Sequence, residues 1–211
     1  MSRLPVFIPS PDGPEPVRTE YVEVPWLPDM PLAGKQAAIA FLHAEARKIP
    51  GIVRVLEVSS KSSEPLGIAL SAFSLPIALP GGDAASVECA YQGSKVFERG
   101  GPFTDLFGKT SKKAKTDGRL RTSGYLTGFR FAGMEWGLEP KTAFYDWLYI
   151  GALVKKPDLA KQLQDYSAFT DIEFDPEHGI SCQARSVALF ISLQRRNLLD
   201  EFLRMAGSAD V

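Results

Sequence analysis

The sequence predicts an α+β fold, a helix-dominated single domain with a few short strands, and three observations support this class. Apolar residues make up 45% of the 211 residues and charged residues 23%, a balance typical of globular domains. Segments with apolar residues at helical spacing outnumber segments rich in β-branched residues. Strands and helices do not alternate regularly, which argues against a parallel α/β sheet.

The N-terminal region is rich in proline, with eight of the sixteen prolines between Pro5 and Pro31, so extended chain is favoured there over helix. Recurring apolar residues predict short packed strands rather than a floppy tail: Val6 to Pro9 and Tyr21 to Val24, with Trp26 and Leu27. We therefore expect a Pro-rich extension over residues 1–34 that packs on a domain over residues 35–211.

Helical spacing of apolar residues predicts the main helices of the domain. They are Lys35 to Lys48, Glu88 to Phe97, a helix from Pro140 through Leu153, a short helix opened by Pro157, and Gln183 to Met205. The last is apolar on nearly every side through residues 188–191, so its first half should be buried. A strand is predicted from Val53 to Val58, and eleven of eighteen glycines between Gly81 and Gly137 indicate short elements in the middle.

Composition excludes several classes of protein. Lys and Arg number 24 and Asp and Glu 25, so the net charge is −1 and does not indicate a protein that binds nucleic acid through an overall positive charge. Two distant cysteines and two isolated histidines cannot form a zinc site of the usual spacing, and we expect no cofactor. The alternative left open is a Mg²⁺ ion bound by carboxylates, whose ligands leave little signature in a sequence. Because no signal peptide or long apolar run is visible, we expect a cytoplasmic protein with no membrane partner.

The first candidate site is the segment from Ser86 to Phe97. If it is helical throughout, Glu88, Gln92 and Lys95 share one face, and a carboxylate beside an ammonium suits proton transfer. The alternative is a solvated Glu–Lys stripe. Gly93 favours the functional site over the solvated stripe. A glycine inside a helix lowers helix stability by about 1 kcal/mol relative to alanine, which indicates that another group approaches the helix closely there.

Two further segments could contact a nucleotide sugar. Residues 59–63 and 70–73 offer hydroxyls, loop amides and Lys61 for a phosphate or ribose, although a flexible surface turn is the alternative. Residues 166–175 interleave three carboxylates with aromatic rings, which raises a carboxyl pKa. Here the alternative is an edge strand whose acids face water.

Basic residues supply the remaining candidates. Six Lys and Arg residues between Lys109 and Arg121 accompany one acid, Asp117, and form either a phosphate-contacting patch or a solvated face. At the start of the last helix, Arg185 and the helix amides would suit a pyrophosphate, unless a structural carboxylate holds the arginine.

The order of these segments resembles the NADAR (YbiA-like) family, whose pattern runs G-x-F-S-N-F, T-S-E-H-x-x-Q-x-x-K-F and A-x-x-x-G-R, then two helices separated by an acidic turn. Residues 70–73, 86–95 and 114–119 correspond to the three motifs, with Cys89 where the family has His. Asp171 falls at the acidic turn, and Gln183 stands where the family has Asn. Residues 59–62, 101–106, 144–149 and 169–174 look most like the branch of antitoxins paired with DarT-type DNA ADP-ribosyltransferase toxins.

The resemblance implies an N-glycosidase that hydrolyses ADP-ribose from guanine bases of DNA as the antitoxin of such a toxin. Its partners would be ADP-ribosylated DNA, the ADP-ribose product and the cognate toxin. Glu88 would exchange protons at the ribose or leaving amine, Lys95 would stabilise that carboxylate or attack C1 to form a Schiff base, and Asp171 would activate water or hold ribose hydroxyls.

Further residues are assigned to binding on the same basis. The substrate contacts are expected from Ser59, Lys61, Ser71, Phe73, Tyr91, Gln92, Trp147, Gln183 and Arg185. The DNA contacts are expected from Lys112, Lys113, Lys115 and Arg119. One alternative is a YbiA-like N-glycosidase acting on ribosylamine intermediates of riboflavin synthesis, and another is a non-catalytic antitoxin that binds the toxin or ADP-ribose.

Overall fold

A computed structural model describes residues 2–25, 30–175, 179 and 181–204, which form two compact units. The described residues within Met1–Ser71 and Lys156–Leu199 form the first unit, and those within Ala72–Lys155 and Asp200–Val211 form the second. Helices and small sheets are mixed throughout, so the predicted α+β class is confirmed. The predicted packing of Trp26 and Leu27 and the predicted helix end at Met205 lie outside the described residues.

The strands of the described chain are short apart from the first two. They are β1 (Ser2–Pro9), β2 (Val17–Val24), β3 (Val55–Glu57), β4 (Pro76–Ala78), β5 (Ala84–Ser86), β6 (Lys95–Phe97), β7 (Leu126–Phe131), β8 (Met134–Trp136) and β9 (Ala168–Thr170).

The longest helices are the first and the last but one, α1 and α8. They are α1 (Leu32–Ala46), α2 (Pro65–Ala69), α3 (Val87–Gly93), α4 (Ser111–Lys115), α5 (Arg119–Thr122), α6 (Ala143–Val154), α7 (Pro157–Gln162), α8 (Gln183–Arg195) and α9 (Leu199–Arg204). Two 3₁₀ turns, Thr104–Gly108 and Leu163–Asp165, complete the set.

The first unit is built on a four-stranded sheet in the order β2-β1-β9-β3. β1 and β2 form an antiparallel hairpin, and β9 pairs antiparallel with β1 but parallel with β3. Leu4, Val6 and Ile8 alternate along β1 and pack in one cluster with Ile39 and Leu42 of α1. The two strands predicted in the Pro-rich region are therefore present and are longer than expected, and the sequence did not predict that they pair with each other.

Helix α8 carries much of the buried surface of the first unit, as the sequence predicts. Residues 186–193 are all buried, and the helix packs against β1 and β9. It ends at Arg195 rather than continuing, because Asn197 adopts a left-handed conformation with φ of 57°. The single helix expected from Gln183 onward is thus two helices, α8 and α9.

The second unit contains the sheets β4-β5 and β6-β7-β8. Helix α3 ends at Gly93, so the predicted helix over 88–97 is wrong in its second half. Lys95 lies on β6 and pairs with Phe129 of β7, because Val96 and Phe97 favour a strand. A Cβ atom on Gly93 would lie 2.5 Å from the ring of Phe107, so the close approach predicted at this glycine is present.

Among the described residues, no helix combines the length and apolar character that a membrane span requires.

Candidate active site

Helix α3 places two polar side chains in the interior of the second unit. Ser86 caps the helix, since its hydroxyl accepts a 3.1 Å hydrogen bond from the amide of Cys89. The backbone amide of Glu88 in the first turn donates to the carbonyl of Ala72. Glu88 and Gln92 lie one turn apart and are only 6% and 7% exposed. The helix therefore holds a carboxylate and an amide together, both almost fully buried.

The two side chains are joined directly. Nε2 of Gln92 donates a 2.9 Å hydrogen bond to Oε1 of Glu88, which fixes the orientation of the amide because a carboxylate only accepts. Oε1 of Gln92 is buried and has no hydrogen-bond partner; among the described residues it shares this condition only with the indole nitrogen of Trp136. A buried unpaired acceptor costs about 1–3 kcal/mol. The site thus offers an acceptor to a donor of a bound molecule.

Lys95 reaches this site from β6, which corrects the prediction that it shares a helix face with Glu88. Its Nζ lies 4.8 Å from the centroid of the Tyr91 ring, within cation–π distance. Burial lowers the pKa of Lys95 to about 8; the carboxylate of Glu88 acts in the opposite direction, and Lys115 lowers the value further. A lysine with this pKa is partly neutral near physiological pH and is a competent nucleophile.

Aromatic rings form the wall behind Lys95. Tyr91 is half-buried, stacks on Phe129 at 5.5 Å and meets Tyr145 edge-on at 5.0 Å between ring centroids. Trp147 belongs to the same group of rings through Trp136, and its indole nitrogen donates to the carbonyl of Leu203. Both residues predicted to stack on a base therefore already pack against protein rings, and their role toward substrate stays a prediction.

Phe73 and Lys115 lie on the side of the second unit that carries the basic segment. Nζ of Lys115 is 5.4 Å from the centroid of the half-buried Phe73 ring. Because Lys115 also lowers the pKa of Lys95, its charge acts on the interior of the site. The predicted residues Glu88, Gln92, Lys95, Tyr91, Phe73 and Lys115 thus belong to one unit.

The basic segment divides into free and paired cations. Lys112, Lys113 and Lys115 are exposed on α4, and within the described chain none of the three forms an ion pair. Arg119 binds Asp105 with both terminal nitrogens, at 3.0 and 2.8 Å, and also binds Asp117 at 2.9 Å. These carboxylates raise the pKa of Arg119 and occupy its guanidinium, so the lysines are the better placed of the predicted DNA contacts.

The first unit contains a buried polar network that the sequence did not predict. Glu57 of β3 is 2% exposed and accepts three hydrogen bonds: from the Ser59 hydroxyl at 2.6 Å, the Thr170 hydroxyl at 2.7 Å and the Ile172 amide at 2.8 Å. Nε2 of His43 lies 2.9 Å from the Thr170 oxygen. Since the Thr170 proton points to Glu57, Nε2 must carry the donated proton.

Burial shifts the pKa values of both ends of this network toward the neutral forms. It raises the pKa of Glu57, against the hydrogen bond from Ile172, and it lowers the pKa of His43 to about 4, helped by Arg47. The only trace of the network in the sequence is a single glutamate inside an apolar strand, followed two residues later by Ser59. The network holds the turn that begins at Asp171, because Glu57 binds the next amide.

Asp171 is buried in the first unit, while Glu173 and Asp175 are exposed. The segment is not an edge strand, because β9 lies between β1 and β3 and the acids follow it in a turn. Oδ1 of Asp171 accepts the amide of Glu173 at 3.0 Å, and Oδ2 lies 4.0 Å from the thiol of Cys182. Burial, with the Asp171 charge, raises the pKa of Cys182, so this thiol stays protonated.

The other predicted contacts of the first unit lie on three separate segments. Ser59 is buried and its hydroxyl donates to Glu57. Lys61 is half-buried, and its ammonium donates to the hydroxyl of Ser60. Ser71 is buried directly after α2, and Gln183 and Arg185 occupy the first turn of α8, with Arg185 half-buried. Among the described residues no three His, Cys, Asp or Glu side chains are grouped as a metal site would require.

A comparison with protein families identifies the family of the sequence. The model of the DarT1-associated NADAR antitoxins matches residues 2–208, nearly the whole chain. The chain belongs to this family. The sequence resemblance to NADAR antitoxins is therefore confirmed, and the family's description supports the predicted antitoxin role. Among curated proteins, none matches this NADAR antitoxin.

Proposed function

We propose that this NADAR antitoxin is an N-glycosidase that hydrolyses ADP-ribose from guanine bases of DNA and thereby reverses the action of its toxin. The observation that carries the proposal is that the buried Glu88–Gln92 pair acts electrostatically on Lys95, which lies over the Tyr91 ring and has a pKa of about 8. Loss of guanine leaves positive charge at C1 of the ribose, and a buried carboxylate stabilises that charge most in the transition state.

Each side chain has a role in this proposal. Glu88 stabilises the charge at C1 and exchanges a proton with the exocyclic amine of guanine as the C1–N bond breaks. Gln92 holds the carboxylate through Nε2 and offers Oε1 to an N–H or O–H donor of the substrate. The Tyr91 ring confines the ammonium of Lys95 beside this pair.

Lys95 acts in one of two ways. As a neutral amine it bonds to C1 while the bond from C1 to guanine breaks and guanine leaves with a proton supplied by Glu88. The Glu88 carboxylate then takes a proton from the new C1–ammonium group and passes it to the ring oxygen as the bond between C1 and that oxygen opens, which gives the Schiff base. Water hydrolyses the Schiff base, releases ADP-ribose and restores the lysine amine. As an ammonium it stabilises the Glu88 carboxylate while water attacks C1 directly. The roles of Asp171, Ser59, Lys61, Ser71, Gln183 and Arg185 remain predictions from the family resemblance.

The proposal is tested by mass spectrometry of an oligonucleotide that carries one ADP-ribosylated guanine. Incubation with the pure protein should restore the mass of the unmodified oligonucleotide and release free ADP-ribose, whereas a Glu88→Gln protein should leave the adduct. If the wild-type protein leaves the adduct intact yet co-purifies with its toxin, occlusion of the toxin replaces hydrolysis as the antitoxin mechanism.

A further inference from the structure

A cleft of about 450 Å³ lies in the second unit beside α4, and the proposed chemistry does not use it. Its walls come from Phe73 and Ser74, from the hairpin of β4 and β5 at Ala84, and from the loop through Lys109 to Ser111. The volume is typical of a site for one small organic group such as a nucleotide. None of the residues that line it, all of them described, carries an acidic side chain.

Hydrogen bonds fix the walls of this cleft to one another. The hydroxyls of Ser86 and Ser111 lie 2.8 Å apart, and Ser111 donates to the carbonyl of Phe73 at 3.0 Å. These bonds connect the start of α3, the start of α4 and the Phe73 loop. The cleft is therefore preformed, which reduces the entropy cost of binding.

The rim of the cleft is positively charged. Lys109 is exposed in its lining, and Lys112 and Lys113 are exposed on the adjoining helix α4. The two acids that flank this segment, Asp105 and Asp117, both pair with Arg119, and together the three groups carry one net negative charge, on which Lys109 acts. Lys112 and Lys113 form no ion pair within the described chain, so this face keeps a net positive charge, which favours a polyanion.

An aromatic ring connects the cleft to the candidate active site. Phe73 lines the cleft, Lys115 lies 5.4 Å from the centre of its ring, and the same lysine lowers the pKa of Lys95. Proteins that hold single strands combine cations that follow the backbone with aromatic faces on which bases stack. Both elements are present here, with hydroxyls between them.

We propose that this cleft binds the nucleotide next to the modified guanine in a single strand of DNA. The inference rests on the proposed function, because it places the modified base at Glu88 and Lys95. The base of the flanking nucleotide contacts Phe73, and its phosphates contact Lys109, Lys112 and Lys113. A single strand is favoured over a duplex because its bases are already unstacked.

The test compares two substrates that contain the same scissile bond: ADP-ribosyl-guanosine and a single-stranded oligonucleotide with one ADP-ribosylated guanine. Ala84→Trp fills the cleft without changing any charge. It should lower kcat/KM for the oligonucleotide by about tenfold or more and leave the nucleoside value within about twofold. Lys112→Glu with Lys113→Glu should also lower the oligonucleotide value, whereas the control Lys141→Glu with Lys155→Glu, on exposed lysines away from the cleft lining, should not.

Two results would overturn the inference: an unchanged oligonucleotide value for Ala84→Trp, or an equal loss for both substrates. If the wild-type protein cleaves neither substrate, the proposed function fails, and binding of an unmodified single strand, measured by fluorescence anisotropy, decides the inference alone. A tenfold weaker binding by Ala84→Trp than by the Lys141/Lys155 control would support the cleft, and equal binding would reject it.

Discussion

The amide of Gln92 donates its hydrogen to the carboxylate of Glu88, one helical turn away, and this leaves the amide oxygen buried without a partner. Such an arrangement is unfavourable in the free protein, because the unpaired oxygen has lost its water. It becomes favourable when a bound molecule supplies a donor. A substrate that donates to this oxygen, as proposed, would return the free energy given up at Gln92 in the free state.

Replacing Glu88 by Gln should lower turnover of the ADP-ribosylated guanine oligonucleotide by a factor of about 10² to 10⁴. The substitution removes both the group that transfers the proton and the negative charge that stabilises C1. The substitution keeps the shape of the side chain, so thermal unfolding serves as the control for folding. Turnover equal to that of the wild-type protein would eliminate Glu88 as the catalytic carboxylate.

Gln92→Met should weaken substrate binding by about tenfold, because a thioether of similar size accepts hydrogen bonds poorly. Stability should change by only about 1 kcal/mol or less, since the loss of the bond to Glu88 is offset by removal of the unpaired oxygen. KM and urea unfolding measure the two effects. A KM that does not move would show that the Oε1 atom meets no donor of the substrate.

Lys95 should titrate with a pKa of about 8, against an ordinary value of 10.5. Between these pH values the unfolded chain holds the proton more tightly than the folded protein. The free energy of unfolding of the wild-type protein, relative to Lys95→Met, should therefore rise with pH from about 8 to about 10.5, by at most about 3 kcal/mol.

The same lysine should be trapped by borohydride during turnover if it forms a Schiff base, giving an adduct in the intact mass. The rate of trapping should increase as the pH rises through about 8. Repeated absence of the adduct, with hydrolysis intact, would assign Lys95 the electrostatic role. Lys141→Met is a suitable control for the loss of a lysine that takes no part in the reaction, because Lys141 is exposed elsewhere in the second unit.

His43 should make the protein sensitive to acid. Its folded pKa of about 4 lies below the ordinary value of 6.5, so the unfolded chain binds the proton first as the pH falls. Stability should decline between about pH 6.5 and about pH 4, by up to about 3 kcal/mol, and His43→Gln should remove this dependence. Parallel stability curves for the two proteins across that range would show that His43 does not titrate as described.

Gly93→Ala should destabilise the protein by about 1–3 kcal/mol, because the new methyl group would meet the ring of Phe107 and the carbonyl of Phe103. The cost of these two close contacts exceeds the gain of about 1 kcal/mol that alanine has over glycine in helix propensity. Gly118→Ala is the matched control, with no atom within 4 Å of its Cβ position, and should change stability by about 0.5 kcal/mol or less. Urea unfolding of the two variants separates the contact from the loss of a glycine.

The sequence predicted the existence of the elements better than their ends. The buried helix α8, the N-terminal strands and the helix with Glu88 are all present, because their apolar spacing is strong. The sequence does not predict the end of α3, because the strand that follows it depends on the pairing of Lys95 with Phe129 of β7, a distant part of the chain. Glu57 was missed because its partners Thr170 and Ile172 are more than a hundred residues away along the chain.

The strand order of the four-stranded sheet in the first unit affects how the protein can fold during its synthesis. β9 at residues 168–170 fills the position between β1 and β3, which come from the first 57 residues. Until the ribosome has released that late segment, the early strands have exposed edges and the carboxylate of Glu57 has no threonine to bind. Translation of a truncated message would thus give a fragment with unpaired strand edges, which is prone to aggregation and proteolysis, instead of a partial antitoxin.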